Sequence, residues 1–370
     1  MRRSFWLLAL LALCLASTPS QVLAQSNTVQ LGSDVSLRLG GGLQTRLTYL
    51  HSDLNGTTTT DTDFGIRRAR LSYRVAVGER WSLRFQHELR ENPVFLDLYV
   101  TYKVNDNLSI RTGRMPDAQP RSYLMTSYRY ADTYDRPNIA NRWSSGTIGN
   151  TGRDYGVAFR YSLDRSRVHL FLHNGDASRS NNLRATTRSS SGFDDDTGMA
   201  ISLYADHKPA ALEGIEVGGF IGHNAHQAAR TAAEGSDIGR SYTSYSAHAY
   251  YGATPGSQAF RLKADMIGII YEYAAPNSPD QHTLGLNLFA AALVQPNLEL
   301  FAQAERRYFD VEAINDAESF FIVGLNASMA PDLPDGFVKQ RFTLAYEYMT
   351  SDAATAPTRH GLLAQLQFIF

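Results

Sequence analysis

The sequence holds a single cysteine, Cys14, inside its first apolar run. Past that run there is no thiol to act as nucleophile, disulfide partner or metal ligand, as suits a chain that crosses an oxidising compartment before folding. Long apolar runs are also missing. Beyond residue 24 the longest candidates, such as Leu288–Val294, fall far short of the ~20 residues a membrane helix needs. Lysine is scarce, with 4 against 31 arginines, and neither charge sign dominates, the formal net charge being −1. That balance argues against wholesale nucleic-acid binding. No Gly-x-Ser-x-Gly, glycine-rich phosphate loop or His-Glu-x-x-His occurs.

The chain starts with Arg2 and Arg3, an apolar stretch Phe5–Ala16, and Val22-Leu23-Ala24. This is the layout of an export signal, expected to be cleaved after Ala24. Residues 1–24 are thus read as a signal peptide and 25–370 as one domain. Loss of Arg2 and Arg3 takes the formal charge to −3. Leu13 is not the small residue that lipidation of Cys14 would want.

The most informative stretch is Phe64–Arg90. Ala69, Leu71, Tyr73, Val75 and Val77 share one parity, and Arg68, Arg70, Ser72 and Arg74 the other. After a turn at Gly78-Glu79, Trp81, Leu83, Phe85 and Leu89 alternate with Arg80, Ser82, Arg84, Gln86, Glu88 and Arg90. Period two with unlike faces is the signal of a two-faced β-strand. A polar face so rich in arginine belongs in water. Phe64 and Ile66 break the pattern by sharing the arginine parity.

Similar segments recur along the chain: Val35–Leu50, the two strands of the hairpin, Phe95–Val104, Leu108–Arg114, Asp154–Leu163, Arg167–His173, Gly198–Asp206 and Ile215–His223. They continue with Tyr242–Tyr251, Phe260–Tyr273, Thr283–Val294, Leu298–Phe309, Phe320–Met329, Phe337–Tyr348 and Gly361–Phe370. That makes about sixteen, joined alternately by short turns and longer polar loops. His51–Asp63 reads as one such loop, and Gly40-Gly41-Gly42 as a point where the first strand bends. Leu96, Leu98, Val100 and Tyr102 are expected to face outward. The pattern predicts an all-β fold, a transmembrane antiparallel β-barrel of about sixteen strands, since a closed barrel is the one sheet that satisfies every backbone group in lipid. Met115–Thr151, with no clean alternation, carries Arg121, Tyr123, Tyr128, Arg129, Tyr130, Arg136 and Trp143. A loop so long is functional or disordered, and its aromatics argue for order.

Arg67-Arg68-Ala69-Arg70-Leu71, Trp81-Ser82-Leu83-Arg84, Asp97-Leu98-Tyr99-Val100-Thr101-Tyr102, Ile110-Arg111-Thr112-Gly113-Arg114 and Pro116 resemble the phosphate-selective porin O/P family, most clearly over about residues 64–150. The resemblance implies a sixteen-stranded bacterial outer-membrane porin reached by export, a homotrimer whose third long loop, here 115–151, folds into the lumen as a constriction. It also implies that Phe370 belongs to the signal read by the barrel-insertion machinery.

Inward parity gives Arg38, Arg46, Arg68, Arg70, Arg74, Arg80, Arg84, Arg111 and Arg160 in the first six strands, with Lys103 beside them. Later strands offer Asp206, Glu216, Asp265, Glu299, Glu305 and Glu347 against fewer bases. One wall is thus expected to be basic and the other more acidic, an arrangement that sets ion preference in a narrow pore. The expected pore-lining set is Arg38, Arg46, Arg68, Arg70, Arg74, Arg84, Arg111 and Lys103. The expected function is passive diffusion of small hydrophilic solutes through the lipid-embedded barrel, favouring anions, with phosphate or other oxyanions as candidates. A general diffusion pore whose arginines pair with carboxylates stays open beside it. So does a barrel that is no pore: an adhesin using 174–197 and 225–240, or a hydrolase using His87 or His248. No enzyme activity, cofactor, metal or nucleic acid is expected. Asp194-Asp195-Asp196 reads as a solvated loop, and His223 with His226 as a pair lacking a third ligand.

Overall fold

The computed structural model describes residues 27–90, 94–124, 129–175, 199–227, 240–273, 280–312, 316–333, 335–353 and 356–370. The expected signal peptide, Tyr128 and Asp194–Asp196 lie outside them. Among the described residues seventeen strands are present: β1 (Thr28–Gln30), β2 (Val35–Leu54), β3 (Thr57–Val77), β4 (Trp81–Glu88), β5 (Val94–Lys103), β6 (Leu108–Met115), β7 (Asp154–Ser162), β8 (Ser166–His173) and β9 (Ala200–His207). They continue with β10 (Ile215–Gln227), β11 (Arg240–Tyr251), β12 (Phe260–Tyr273), β13 (Gln281–Gln295), β14 (Leu298–Tyr308), β15 (Ala317–Ser328), β16 (Gln340–Ser351) and β17 (Thr358–Ile369). Among the described residues three short helices join them: α1 (Arg121–Leu124), α2 (Asn138–Gly146) and α3 (Gly336–Lys339).

From β2 to β17 each strand is antiparallel to the next, and β17 returns to pair with β2, Thr358 opposite Asp53 and Ile369 opposite Gly42. The sixteen strands therefore close on themselves, the arrangement that leaves no broken hydrogen-bond ladder facing lipid. β1 adds a short stretch beside Ser36–Arg38, just past the point where the chain ends. Alternation is strong. Leu286 and Leu288 are 41% and 60% exposed on the outer face, while Asn287 and Phe289 between and beyond them are 3% and 2% exposed on the inner one. An apolar outside and a polar inside is what a bilayer around and water within select.

Three local expectations are corrected. His51–Asp63 is not a loop: β2 and β3 run on as one hairpin to a two-residue turn at Asn55-Gly56, both at positive φ. Asn-Gly is the pair that such a mirror-image turn prefers, and Thr57–Thr60 supply β-branched residues that favour strand. Leu96 is not outward but 4% exposed, because a bulge between Gln86 and His87 opposite Asp97 and Phe95 inserts it as an extra residue. Gly41, within the expected bend, also serves close approach, since a Cβ there would stand 2.6 Å from the ring of Phe370. The strand expected from Phe337 begins at Gln340, after the turn of α3.

A second bulge explains the imperfect start of the arginine strand. Gln44 pairs with Arg68 but Thr45 with Ile66, so Arg67 is the inserted residue. Phe64 and Ile66 are accordingly outward, 72% and 49% exposed, while Arg68 and Arg70 are buried on the inner face.

Candidate functional site

The segment between β6 and β7 carries α1 and α2, and its side chains meet residues of β2, β3, β10, β12, β14 and β16. Tyr123 and Trp143 pack edge to face at 5.4 Å, Trp143 continues onto Phe220 at 5.5 Å, and Ile139, Ile267, Ile269 and Tyr271 complete one apolar cluster. Glu305 accepts the backbone N–H of Ile139 at 3.1 Å at the start of α2, where a carboxylate is favoured. Arg121 is buried against Glu216 of β10 and beside the ring of Tyr250.

Between the helices, Asp132 and Asp135 reach opposite sides of the closed sheet. The Asp135 carboxylate accepts from Arg67 at 2.7 Å and Arg68 at 2.9 Å, with Arg46 at 3.5 Å. Arg46 also donates to the Tyr134 carbonyl at 2.7 Å and lies over its ring. Asp132 accepts from Lys263 of β12 at 2.7 Å and from Arg261, which is itself forked onto Glu299 at 2.8 Å. Tyr134 donates its hydroxyl to Glu347 of β16. Burial alone would raise the Asp135 carboxyl, but the guanidiniums of Arg68, Arg67 and Arg46 outweigh it and hold the group well below the usual carboxylate range. Burial likewise opposes ionisation of Asp132, and Lys263 and Arg261 overcome it.

Two cavities flank β3. One, of about 320 Å³ toward the long-loop end, is lined by Arg67, Arg68, Arg70, Arg90, Arg136 and Arg153, with Glu88 as the sole carboxylate in its lining. The other, of about 420 Å³ toward the short-turn end, is lined by Arg38, Arg74, Arg84, Arg129 and Lys339 against Asp335. In the second, Arg38 stands opposite Arg74, and Arg74 opposite Arg84, across three adjacent strands. Like charges directly opposite destabilise a sheet, so this row needs water or a counter-ion.

The residues singled out from the sequence divide by place. Arg38, Arg74 and Arg84 share the second cavity with Arg129 and Tyr130; Arg68, Arg70 and Arg136 share the first. Arg84 is also 3.1 Å from Asp97, and Arg70 2.8 Å from Glu88. Arg46 lines neither cavity and sits on Asp135. Arg111 faces Asp117 at 3.7 Å and the Tyr99 ring, and Arg136 stacks over Tyr123 at 4.0 Å. Lys103 is elsewhere: it ends β5, half exposed, with its ammonium 2.7 Å from Asp106 in the following turn. Sequence reasoning passed over Arg67, Arg153, Asp132 and Asp135. The available signal was that 116–151 contains only three carboxylates, Asp117, Asp132 and Asp135, among its arginines.

Among the described residues the histidines do not assemble a reachable site. His87 packs against Phe85 and Phe95 at 4.6 and 4.0 Å, and His248 lies 3.8 Å from Glu216 beside Tyr204. A hydrogen-bonded chain does run from Asp154 to His173 (2.7 Å) and on to Ser202 (2.9 Å). Its members are 0%, 3% and 3% exposed, so the chain braces β7, β8 and β9, and the serine is closed to substrate. His223 bonds Thr243 at 3.0 Å.

Comparison with known proteins gives a family and a fold. Residues 38–243 match the family described as phosphate-selective porin O and P. No protein of curated function matches the sequence. Among solved structures, an anion-selective porin from Comamonas acidovorans superposes with TM-score 0.66 at 13% identity, covering 91% of this chain and 100% of that one. The outer-membrane channel DcaP of Acinetobacter baumannii gives 0.61 at 13%, covering 92% and 99%. A trimer form of OmpT, an outer-membrane protein of Vibrio cholerae, gives 0.60 at 13%, covering 91% and 100%. At these identities the likeness is one of fold.

Proposed function

Since the chain belongs to the phosphate-selective porin O and P family and is an outer-membrane porin, we propose that it passes small anions along the arginine-lined wall of β2–β4. The observation that carries this reading is the pair of cavities flanking β3, each with five or six cationic side chains and one carboxylate in its lining. Charged residues in a narrow, low-dielectric passage concentrate counter-ions and set the sign of the permeant. The segment between β6 and β7, held at Asp135 to the basic wall and at Asp132 to the other, folds into the lumen and narrows the path between the cavities. Lys103, paired with Asp106 in the turn after β5, lines neither cavity. The test is the zero-current potential in a salt gradient across a planar bilayer. An anionic sign that shifts toward cations when Arg68, Arg70 and Arg74 become Ser supports the proposal, and a cationic sign in the wild type refutes it.

The outer surface supports a reading of the partners as well. β4, β6, β8 and β9 have eight residues each against 15 in β13. Above this low wall Thr57–Ile66 of β3 pair only with β2 among the described residues. An unpaired edge and the outward cluster Tyr73, Phe85, His87 and Phe95 favour packing of further copies there, completing a homotrimer. The insertion machinery is proposed to read the end of β17, where Phe370 is 53% exposed. The anion-selective porin from Comamonas acidovorans shares this fold, which supports the ionic preference.

A further inference from the structure

We propose that Asp132 and Asp135 are tethered occupants of two oxyanion sites, one on each wall, which a mobile phosphate- or carboxylate-type anion takes in competition with them. The proposal rests on the anion-passing function and adds how tightly the channel holds what it passes.

The first site is built from two adjacent strands. Arg67 aims both Nε and Nη2 at Oδ2 of Asp135, at 3.1 and 2.7 Å, while Arg68 donates to Oδ1 at 2.9 Å. Arg46 closes the third side. Three guanidiniums thus converge on one carboxylate, and its two oxygens stand where two oxygens of a free oxyanion would. Planar forks of this kind match carboxylate and phosphate alike. The bulge at Arg67 makes the cradle possible, because without it Arg67 and Arg68 would point to opposite faces.

The second site is on β12 and β16. Lys263 donates to both oxygens of Asp132, at 2.9 and 2.7 Å, beside Arg261. Arg341 lies within electrostatic reach of Asp132 and Glu299. It is 0% exposed, and its three guanidinium nitrogens have no hydrogen-bond partner among the described residues. Arg261, Lys263 and Arg341 here face Asp132 and Glu299, with Asp265 also within electrostatic reach of Lys263. Buried cations retain a strong demand for counter-charge, so neither cradle is neutralised by the aspartate it holds.

The two aspartates are three residues apart on one tied segment. A tethered ligand acts at an effective concentration of the order of millimolar. Loop carboxylates therefore fill the sites when no permeant is near and speed its departure after it enters. A channel needs binding that is favourable enough to admit an ion yet weak enough to release it.

The experiment uses the folded full-length protein in planar bilayers with chloride as carrier and inorganic phosphate as titrated blocker. Asp135→Asn and Asp132→Asn keep side-chain shape, and heat-modifiable gel migration confirms the barrel. Each variant is expected to lower the half-blocking phosphate concentration about tenfold and to move the zero-current potential further in the anionic direction. Asp135→Glu, which keeps the charge, is expected to block as wild type. An unchanged or raised half-blocking concentration in both Asn variants overturns the proposal. So does a several-fold rise in conductance without tighter block, which would mean the aspartates only fasten the loop. A cation-selective wild type removes the underlying anion function, whereas an anion-selective wild type with unmoved block removes the tethered occupants alone.

Discussion

Arg67 is a single inserted residue that puts two neighbouring guanidiniums on the same side of a strand. The sequence held a trace of it, since Phe64 and Ile66 break the alternation that Arg68 to Arg74 keep. It could not place Asp135 there, because that carboxylate arrives from 68 positions along the chain. Such pairs leave no periodic mark. The depressed Asp135 and Asp132 carboxyls carry a pH prediction. A group whose folded value is lowered contributes fully above the ordinary value near ~3.9, and loses its contribution only as pH falls through the lower folded one. Conductance should therefore show no loop-release rise between about pH 7 and pH 4.5, and a rise only in stronger acid. A rise already near pH 5 would contradict the anchoring. Gly113 makes a second residue-scale case. It sits at φ +126, and a Cβ would stand 2.3 Å from the Leu98 carbonyl oxygen. Gly113→Ala should cost at least about 1–3 kcal/mol, seen as a lower temperature for loss of heat-modifiable migration.

At the scale of elements, strands were legible and the loop was not. Period-two alternation is written locally, so the positions of all sixteen barrel strands followed from it, with ends displaced by a few residues. The hairpin tip at Asn55-Gly56 was missed because its faces are polar on both sides, which erases the alternation while the strand remains. The loop's aromatics argue for order, and two of them, Tyr123 and Trp143, join one cluster with β10 and β12, while Tyr134 packs with Phe289 and Phe301 in another. Its helices were not foreseen, since α1 spans one turn and α2 takes its Glu305 partner from a distant strand. Trp143, 2% exposed, ties α2 to that cluster. Trp143→Ala should lose about 3–5 kcal/mol of local packing. The ring of strands does not depend on it. Single-channel conductance should increase and become noisy, while barrel unfolding shifts little; a matching collapse of the barrel would show that the loop is structurally required.

For the whole molecule, closure was predictable from backbone accounting, because a sheet in lipid cannot keep an open edge. The height of the wall was not, since strand length carries no label for which side meets another copy. Low wall, unpaired β3 edge and outward aromatics belong to one surface. A cysteine at Phe95 should cross-link copies that pack on this surface, whereas one at Leu288 on the far side should not. The two charged cavities are a property of the closed barrel as well, since their linings join the basic strands to α3, the chain end and the loop.

The most direct test of the anion path is the zero-current potential of reconstituted protein in a potassium chloride gradient. The wild type should show an anionic sign, and the change of Arg38, Arg74 and Arg84 to Ser should reduce it while stepwise conductance persists. A cationic sign, or an anionic one unmoved by losing all three arginines, would contradict the assignment of the conducting path to this wall.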